Sequence, residues 1–513
     1  MTDYIFGANI LENLTTGMYQ DSKVIYREYI QNSCDQIDKA IKDKLLSPGE
    51  GTIKIWLDTA QRTIIIEDNA TGIPAASFQR TLGNIADSDK KIGEDKGFRG
   101  IGRLCGLAYC KELIFESCSV GDNTVSTMIC DAKKMRGLIE ENQSGKKHTA
   151  NEVLHAINRF ELKEKDNSDS HFFRVKLVGI NSENTDLLDL QRVKDYLAFV
   201  APVPYQNSFL YRTEVYKHAQ CLGARVDEYN VTLEGEPIFK KYATILKDPS
   251  GNKYDDIFGI DFKDFFNANG ELFAWMWVGL SRFQKAIPKI NQMRGLRLRK
   301  ENIQIGGEDS LQKLFKEDRG NSYFVGEVFA VNKDLIPNSQ RDYFNENVAR
   351  AEFERELRKY FNEELQKIYY NGSTINSAYR KIDSYEKREA EFSTKETAGG
   401  FVDKDHRERE LKVVHESKRE AQNAQLRIEK LKEKADGLTQ QVIHQIEQAR
   451  PKPDIGSSEN TTQSKDRFHS RTEKLTHYSR AEQKLISKIF NIILKTTDNG
   501  TAERIINNIE KEL

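Results

Sequence analysis

The spacing of apolar residues changes character three times along this chain. From Ser22 to Lys44 apolar residues recur at helical spacing and predict a helix. Two short β-branched runs follow, GTIKIWLD and RTIIIEDN, and read as strands. KELIFESCSV, NTVSTMICDA and HFFRVKLVGI predict three more. Strands interleaved with helices make residues 1–185 an α/β sandwich candidate. Residues 190–350 predict a second mixed domain, with LFAWMWVGL and YFVGEVFAV as its clearest strands. There RGLRLRKENIQIGG alternates apolar and basic residues, as a half-exposed strand does.

Beyond residue 350 strands become scarce. RAEFERELRKYFNEELQKIYY reads as an amphipathic helix. Ala421, Ala424, Ile428, Leu431, Ala435, Leu438 and Val442 follow a three-four spacing, a heptad seam that marks residues 351–450 as helical with a coiled coil. Three of the seven seam residues are alanine, so the seam suits packing on the chain's own helices as well as a dimer. PKPDIGSSENTTQSK is polar and carries Pro and Gly, so residues 451–470 read as a flexible linker. Residues 471–513 predict two short amphipathic helices around Asp498-Asn499-Gly500. The fold class expected is α+β, with two mixed domains and a helical C-terminal third.

Composition narrows this picture. At ~150 residues per domain a chain of this size holds about three domains. Its 78 Lys and Arg nearly cancel its 79 Asp and Glu, which argues against a surface built entirely for nucleic acid and leaves room for a local basic patch. No apolar run is long enough to span a membrane, and MTDYIFGANILENL lacks the basic and apolar regions of a secretory leader. The six cysteines show no CxxC pairing, so reduced thiols and a cytoplasmic location are expected, with no zinc site or disulfide framework.

Three segments carry candidate chemistry. In REYIQNSCDQIDKA, Glu28, Asn32 and Asp35 stand at i, i+4 and i+7 on one helix face. They form either a solvated stripe or a general base, Glu28, one turn before a carboxamide, Asn32, that suits magnesium. In TIIIEDNATGIP a hydrophobic strand ends at Asp68, with Gly72 four residues on. That is either a plain strand-to-turn transition or a carboxylate that accepts from a base's amino group, with a glycine that lets a flat ring approach. In GEDKGFRGIGRLCGLAYC, Gly97, Gly100 and Gly102 precede an apolar helical stretch. Such a loop is either merely flexible or a phosphate cradle of backbone amides. It is neither a Walker A loop nor a good Rossmann fingerprint. Cys34 sits in the first of these helices, where a buried cysteine is usually a small hydrophobe.

Taken in order, these three segments resemble the GHKL ATPases, the superfamily of gyrase B, the ninety-kilodalton heat-shock chaperones, MutL and the histidine kinases. MYQDSKVIYREYIQNSCDQIDKA, LGNIADSDKK and GFRGIG are most similar to the heat-shock (HSP90-like) members, with a likeness to the GFRGEAL of MutL. The resemblance runs through residues 8–120 and more loosely to 345. It implies a Bergerat-type α/β sandwich, a transducer-like (ribosomal S5-like) second domain, and ATP with Mg2+ as ligands. Residue by residue, it implies that Glu28 polarises the attacking water, Asn32 binds the metal with Asp35 nearby, and Asp68 contacts adenine beside Gly72. It further implies that Gly97, Phe98, Arg99, Gly100, Ile101 and Gly102 hold the phosphates, assisted by Lys90 and Lys91. The family's Asp-x-Gly-x-Gly here has Ala70 in its middle position, which bears on nucleotide affinity. The threonine that the family carries on a late strand has no assigned counterpart; Ser170 and His171 lie nearest.

NKDLIPNSQRDYF resembles the loop in which the chaperones place an arginine on the γ-phosphate, which assigns that role to Arg341 beside Asp342. The alternative is a solvent-exposed arginine in a turn after Pro337. For RGLRLRK the expectation is a solvated edge strand guarded by charge, ahead of a nucleic-acid contact. His415-Glu416 follows the ATPase segment instead of preceding it, so histidine-kinase activity is not expected. The implied protein is a slow ATP-driven conformational switch, chaperone-like or defence-associated, dimeric through its C-terminal helices, with an unidentified client protein. A DNA-transacting relative of MutL or MORC, and a non-catalytic nucleotide-binding scaffold, are the rivals.

Overall fold

The β-branched runs pair where their alternation buries one face. Strands β1 (Thr52–Asp58), β2 (Thr63–Asp68), β3 (Glu112–Cys118), β4 (Thr124–Asp131), β5 (Asn158–Glu164), β6 (Phe172–Val178), β7 (Asn230–Leu233) and β8 (Glu236–Pro237) form one sheet, ordered β5-β4-β3-β6-β2-β1-β7-β8. The neighbours are antiparallel except β1 and β7, which run parallel. One inward row runs Ile55, Ile66, Val175, Phe115, Met128 across five strands, and every member is buried. Burying each such side chain contributes about 1.5–3 kcal/mol. On the opposite face Arg174 bridges Glu67 at 2.5 Å and Glu116 at 2.8 Å, and Lys176 reaches Glu116 at 2.8 Å. This ladder neutralises charge across three strands.

The computed structural model describes residues 5–15, 17–19, 21–85, 100–165, 170–397, 400–401, 404–450, 475 and 477–513. Two compact units result, one of residues 1–281 with 286–363 and one of 282–285 with 364–513. In the first, α1 (Asn9–Leu14), α2 (Val24–Lys42), α3 (Ala75–Gly83), α4 (Ala132–Gln143) and α5 (Ala150–Ile157) belong to the large-sheet layer, and Ile25, Tyr29, Ile30 and Ile37 of α2 join its core. Then come α6 (Leu190–Val200) and α7 (Arg212–Cys221). The strands β9 (Ile245–Lys247) and β10 (Lys253–Asp256) make a ribbon. A five-stranded sheet, β11-β12-β15-β13-β14, combines β11 (Gly259–Phe266), β12 (Leu272–Leu280), β13 (Gly295–Lys300), β14 (Ile303–Ile305) and β15 (Val325–Ala330). The helix α8 (Val348–Tyr360) ends this unit's regular elements. The large sheet thus takes β7 from beyond residue 190, a parallel pairing that local alternation does not reveal.

The basic strand corrects the expectation of a solvated edge. β13 lies between β15 and β14, and all six of its residues are buried. Arg299 Nε donates to Glu327 Oε1 at 2.6 Å, and both side chains are 0% exposed. Lys240 Nζ lies 3.2 Å from Glu327 Oε2 and donates to Asn302 at 2.6 Å, and the Tyr205 hydroxyl also donates to Glu327. Arg297 stacks over Phe199 at 4.1 Å. Burial pushes the Lys240 ammonium down to about 7, helped by the cation of Arg299. Burial works to raise Glu327, but Arg299 and then Lys240 outweigh it and hold the carboxyl at about 2. A basic residue every second position suits water on one side, and equally a buried carboxylate that answers it.

In the second unit α9 (Gln366–Thr397) and α10 (Lys404–Glu433) form an antiparallel hairpin, tied by Lys395–Glu410 at 2.7 Å and Lys381–Glu420 at 3.5 Å. The heptad reading needs correction here. α10 stops at Glu433, and α11 (Gly437–Gln448) restarts after Asp436, with Gly437 at φ +46. The Asp-Gly step breaks the helix that the seam assumed to be continuous. Seam residues Ala421, Ala424 and Ile428 are buried within the chain's own helices. α12 (Arg480–Thr496) opens on a capping box of Ser479 and Glu482, and Asp498 caps α13 (Asn499–Glu512). The expected linker, 451–470, lies outside the described residues. All six cysteines are free, and no helix among the described residues is long and apolar enough to cross a membrane.

Candidate functional site

Helix α2 is mostly buried, Glu28 and Asp35 included, and Asn32 is half-buried. A solvated stripe is therefore excluded. A buried carboxylate requires partners, and Glu28, 7% exposed, has two cations beside Oε1: Arg27 Nε at 3.5 Å and Arg341 Nε at 3.3 Å. Arg341 comes from the loop between β15 and α8, where its N–H donates to Asn338 O at 3.1 Å and its φ is +54. It too is 7% exposed, not the solvent-facing turn arginine of the alternative reading. Arg27 also grips the loop backbone, with Nη2 donating to Gln340 O at 2.9 Å and Nη1 to Arg341 O at 3.4 Å. Burial, and next the Glu28 charge, push the Tyr19 phenol well above its ordinary value.

Alternation along β2 sends Ile64, Ile66 and Asp68 to the same buried side. Asp68 is 1% exposed, and burial raises its carboxyl to about 7, against the opposing pull of Ser33 and the Ala70 N–H. Its Oδ1 accepts from Ala70 N at 3.1 Å, whereas Oδ2 meets no hydrogen-bond donor among the described residues. That orphaned acceptor fits an incoming amino group. His171 Nδ1 lies 2.6 Å from Ala70 O and anchors the turn. Gly72 stands at φ +65, and a Cβ there would come within 2.0 Å of Cys118 O. Close backbone packing alone thus requires this glycine, beside any ligand.

The apolar stretch after the glycine motif is a 3-10 helix, Gly102–Ala108. Tyr29 fastens it to α2: its hydroxyl donates to Arg103 O at 3.0 Å and accepts from Gly106 N at 3.1 Å. A Cβ on Gly102 would stand 2.5 Å from Glu28 Oε2, so this glycine makes room for the carboxylate. Gly100 takes the left-handed φ of +68, and Ile101 joins the two. Lys90, Lys91, Gly97, Phe98 and Arg99 lie outside the described residues.

The structure brings Glu28, Gly102 and Arg341 together, and sets Asp68 in the same unit on the strand whose inner face meets the core. Arg27, Ser33 and Tyr19 were missed by the motif reading, and His171 was named there without a role. Only Arg27 had a signal, as a cation beside Glu28; the others act through contacts that no spacing encodes.

The family described as "Histidine kinase-, DNA gyrase B-, and HSP90-like ATPase" matches residues 20–161. The chain is similar to the chaperone protein HtpG of Buchnera aphidicola, 28% identical over 161 residues, covering 25% of each chain. It is 25% identical over 201 residues to HtpG of Psychrobacter arcticus, covering 36% of this chain and 30% of that one. HtpG of Coxiella burnetii is 34% identical over 85 residues, 15% of this chain and 13% of the other. The chain thus spans about a quarter to a third of the length of the first two relatives. Buried carboxylates on α2 and β2, the glycine step and the matched segment coincide: residues 20–161 match a GHKL-type domain, the kind shared by histidine kinases, DNA gyrase B and HSP90-like ATPases.

Proposed function

We propose that this protein binds ATP with Mg2+, hydrolyses it slowly, and uses the phosphate state to switch conformation in a chaperone-like manner. The observation that carries the reading is the 3.3 Å approach of Arg341 to Glu28, two buried charges from distant segments of one unit. In this reading Asp68 Oδ2 accepts from the adenine amino group. The amides from Gly100 to Gly102 face phosphate oxygens. Asn32 holds the magnesium ion, because a carboxamide oxygen joined by substrate phosphates is a donor set magnesium accepts. Bound Mg2+ supplies charge neutralisation and orientation of the phosphates. Glu28 orients the attacking water and takes up its proton, and Arg341 stabilises charge developing on the γ-phosphate. Arg341 and Glu28 neutralise one another until a phosphate competes for the guanidinium, which frees the carboxylate from one of its two cations and strengthens it as a base.

Dimerisation through the C-terminal helices belongs to the same proposal. It is supported by Leu485 and Ile492 on α12, 59% and 60% exposed, which with Ile489 lie at i, i+7 and i+4 on one face. An unidentified client protein would complete the system. The DNA-transacting reading loses its candidate strand, since the arginines of β13 point inward to Glu327 and Phe199.

Phosphate release by wild type and Glu28→Ala, each with and without Mg2+, tests the proposal, with ATP binding measured in parallel. Magnesium-dependent turnover that disappears in Glu28→Ala while binding persists is expected. Unchanged turnover in the variant would leave the catalytic reading without its base, and a binding-only scaffold would replace it.

A further inference from the structure

Arg341 holds a left-handed backbone at φ +54, a conformation that side-chain-bearing residues adopt only when their surroundings enforce it. Its carbonyl accepts from the N–H of Gly306 at 2.8 Å. Gly306 directly follows β14 and is itself left-handed, at φ +66. A Cβ on Gly306 would fall 2.1 Å from Ser310 Oγ and 2.4 Å from the carbonyl oxygen of Asp342, the residue after Arg341. A backbone oxygen cannot swing away as a flexible side chain can. The missing side chain at 306 is therefore what lets the Arg341–Asp342 peptide settle against the end of β14. From the other side the same loop is held by Arg27, through the carbonyls of Gln340 and Arg341.

We infer that Gly306 is a positioning residue for Arg341: it seats the loop peptide on the sheet edge so that the guanidinium reaches Glu28. Its proposed effect is exerted through the Arg341 loop. The inference rests on the proposed role of Arg341 in hydrolysis. Gly251 provides the contrast, because it is also left-handed at φ +86 but a Cβ there would meet nothing within 4 Å. An alanine at either site strains the backbone, and only at 306 does it push the loop.

Magnesium-dependent ATP hydrolysis by the full chain tests this in a double-mutant cycle. Gly306→Ala should lower kcat about tenfold or more with KM for ATP nearly unchanged, because small displacements of a charge-stabilising group act on the transition state. Gly251→Ala should retain the wild-type rate. In an Arg341→Ala background, Gly306→Ala should lower the residual rate no further. Ser310→Gly removes both obstructing Ser310 atoms, so Gly306→Ala/Ser310→Gly provides a milder variant that retains the encounter with the Asp342 carbonyl. The inference is overturned if Gly306→Ala leaves kcat unchanged, or lowers it by the same factor with and without Arg341. A wild-type rate in Arg341→Ala alone would instead remove the catalytic role of Arg341, a separate failure.

Discussion

Nε of Arg341 lies 3.3 Å from Oε1 of Glu28, and the neighbouring Arg27 approaches the same oxygen at 3.5 Å. One buried carboxylate thus serves two cations, and losing either kind of partner has unequal consequences. Glu28→Ala leaves two guanidinium groups without their shared countercharge and should cost about 3–5 kcal/mol. Arg341→Ala leaves Glu28 paired with Arg27 and should cost less. Urea unfolding of both variants checks the order.

The same geometry sets the kinetic expectation. Glu28→Gln preserves size and removes the proposed base; Arg341→Ala removes the charge proposed to meet the γ-phosphate. Each should lower kcat by about 10²–10³-fold. Nucleotide affinity, measured by calorimetry, should change far less, since the adenine end is proposed to be held at Asp68. A large loss of affinity with normal kcat would assign both residues to binding instead.

Asp68 makes stability depend on pH in a defined direction. Burial raises its carboxyl from 3.8 to about 7. Between those values the folded protein keeps a proton that the unfolded chain has released, so this group's contribution falls as pH rises through the window and levels off above it. Asp68→Asn carries no such proton. The stability of the variant relative to wild type should therefore grow from about pH 4 to about pH 7 and then stay constant. Unfolding midpoints at successive pH values measure it. ATP affinity of Asp68→Asn should drop about tenfold or more, because an amide is a poorer acceptor for the adenine amino group.

Glu327 is the only carboxylate that ion-pairs with Arg299 or Lys240 among the described residues, and all three side chains are 0% exposed. Glu327→Ala should destabilise the first unit by about 3–5 kcal/mol, the cost of leaving buried cations unanswered. Chemical denaturation provides the number, and a loss under about 1 kcal/mol would mean that water reaches these groups.

Ala421 is 0% exposed in the α9–α10 hairpin. Ala421→Leu should overpack it and cost about 1–3 kcal/mol. Because the seam closes within one chain, the shift in melting temperature should not vary with protein concentration. A concentration-dependent shift would place the seam between copies.

Much of the candidate site was legible in the residues. The spacing of Glu28, Asn32 and Asp35 marked one face of α2, and the apolar run before Asp68 marked a strand that ends on that carboxylate. Two patterns misled for physical reasons. Alternating Leu and Arg in β13 has the same period whether the arginines meet water or Glu327. The seam from Ala421 to Val442 counts residues and is blind to the turn that Asp436 and Gly437 impose.

By itself the order of residues marked β1–β4, β6, β12, β13 and β15, the helix α2, the α+β class and the acidic and glycine-rich motifs, because these depend on local periodicity and backbone preference. Only tertiary structure decided that Arg341 meets Glu28, that β7 joins β1, and that the basic strand lies inside. Those outcomes depend on which distant segments bury one another's charges and edges, a choice made by the whole core and absent from any single stretch of chain.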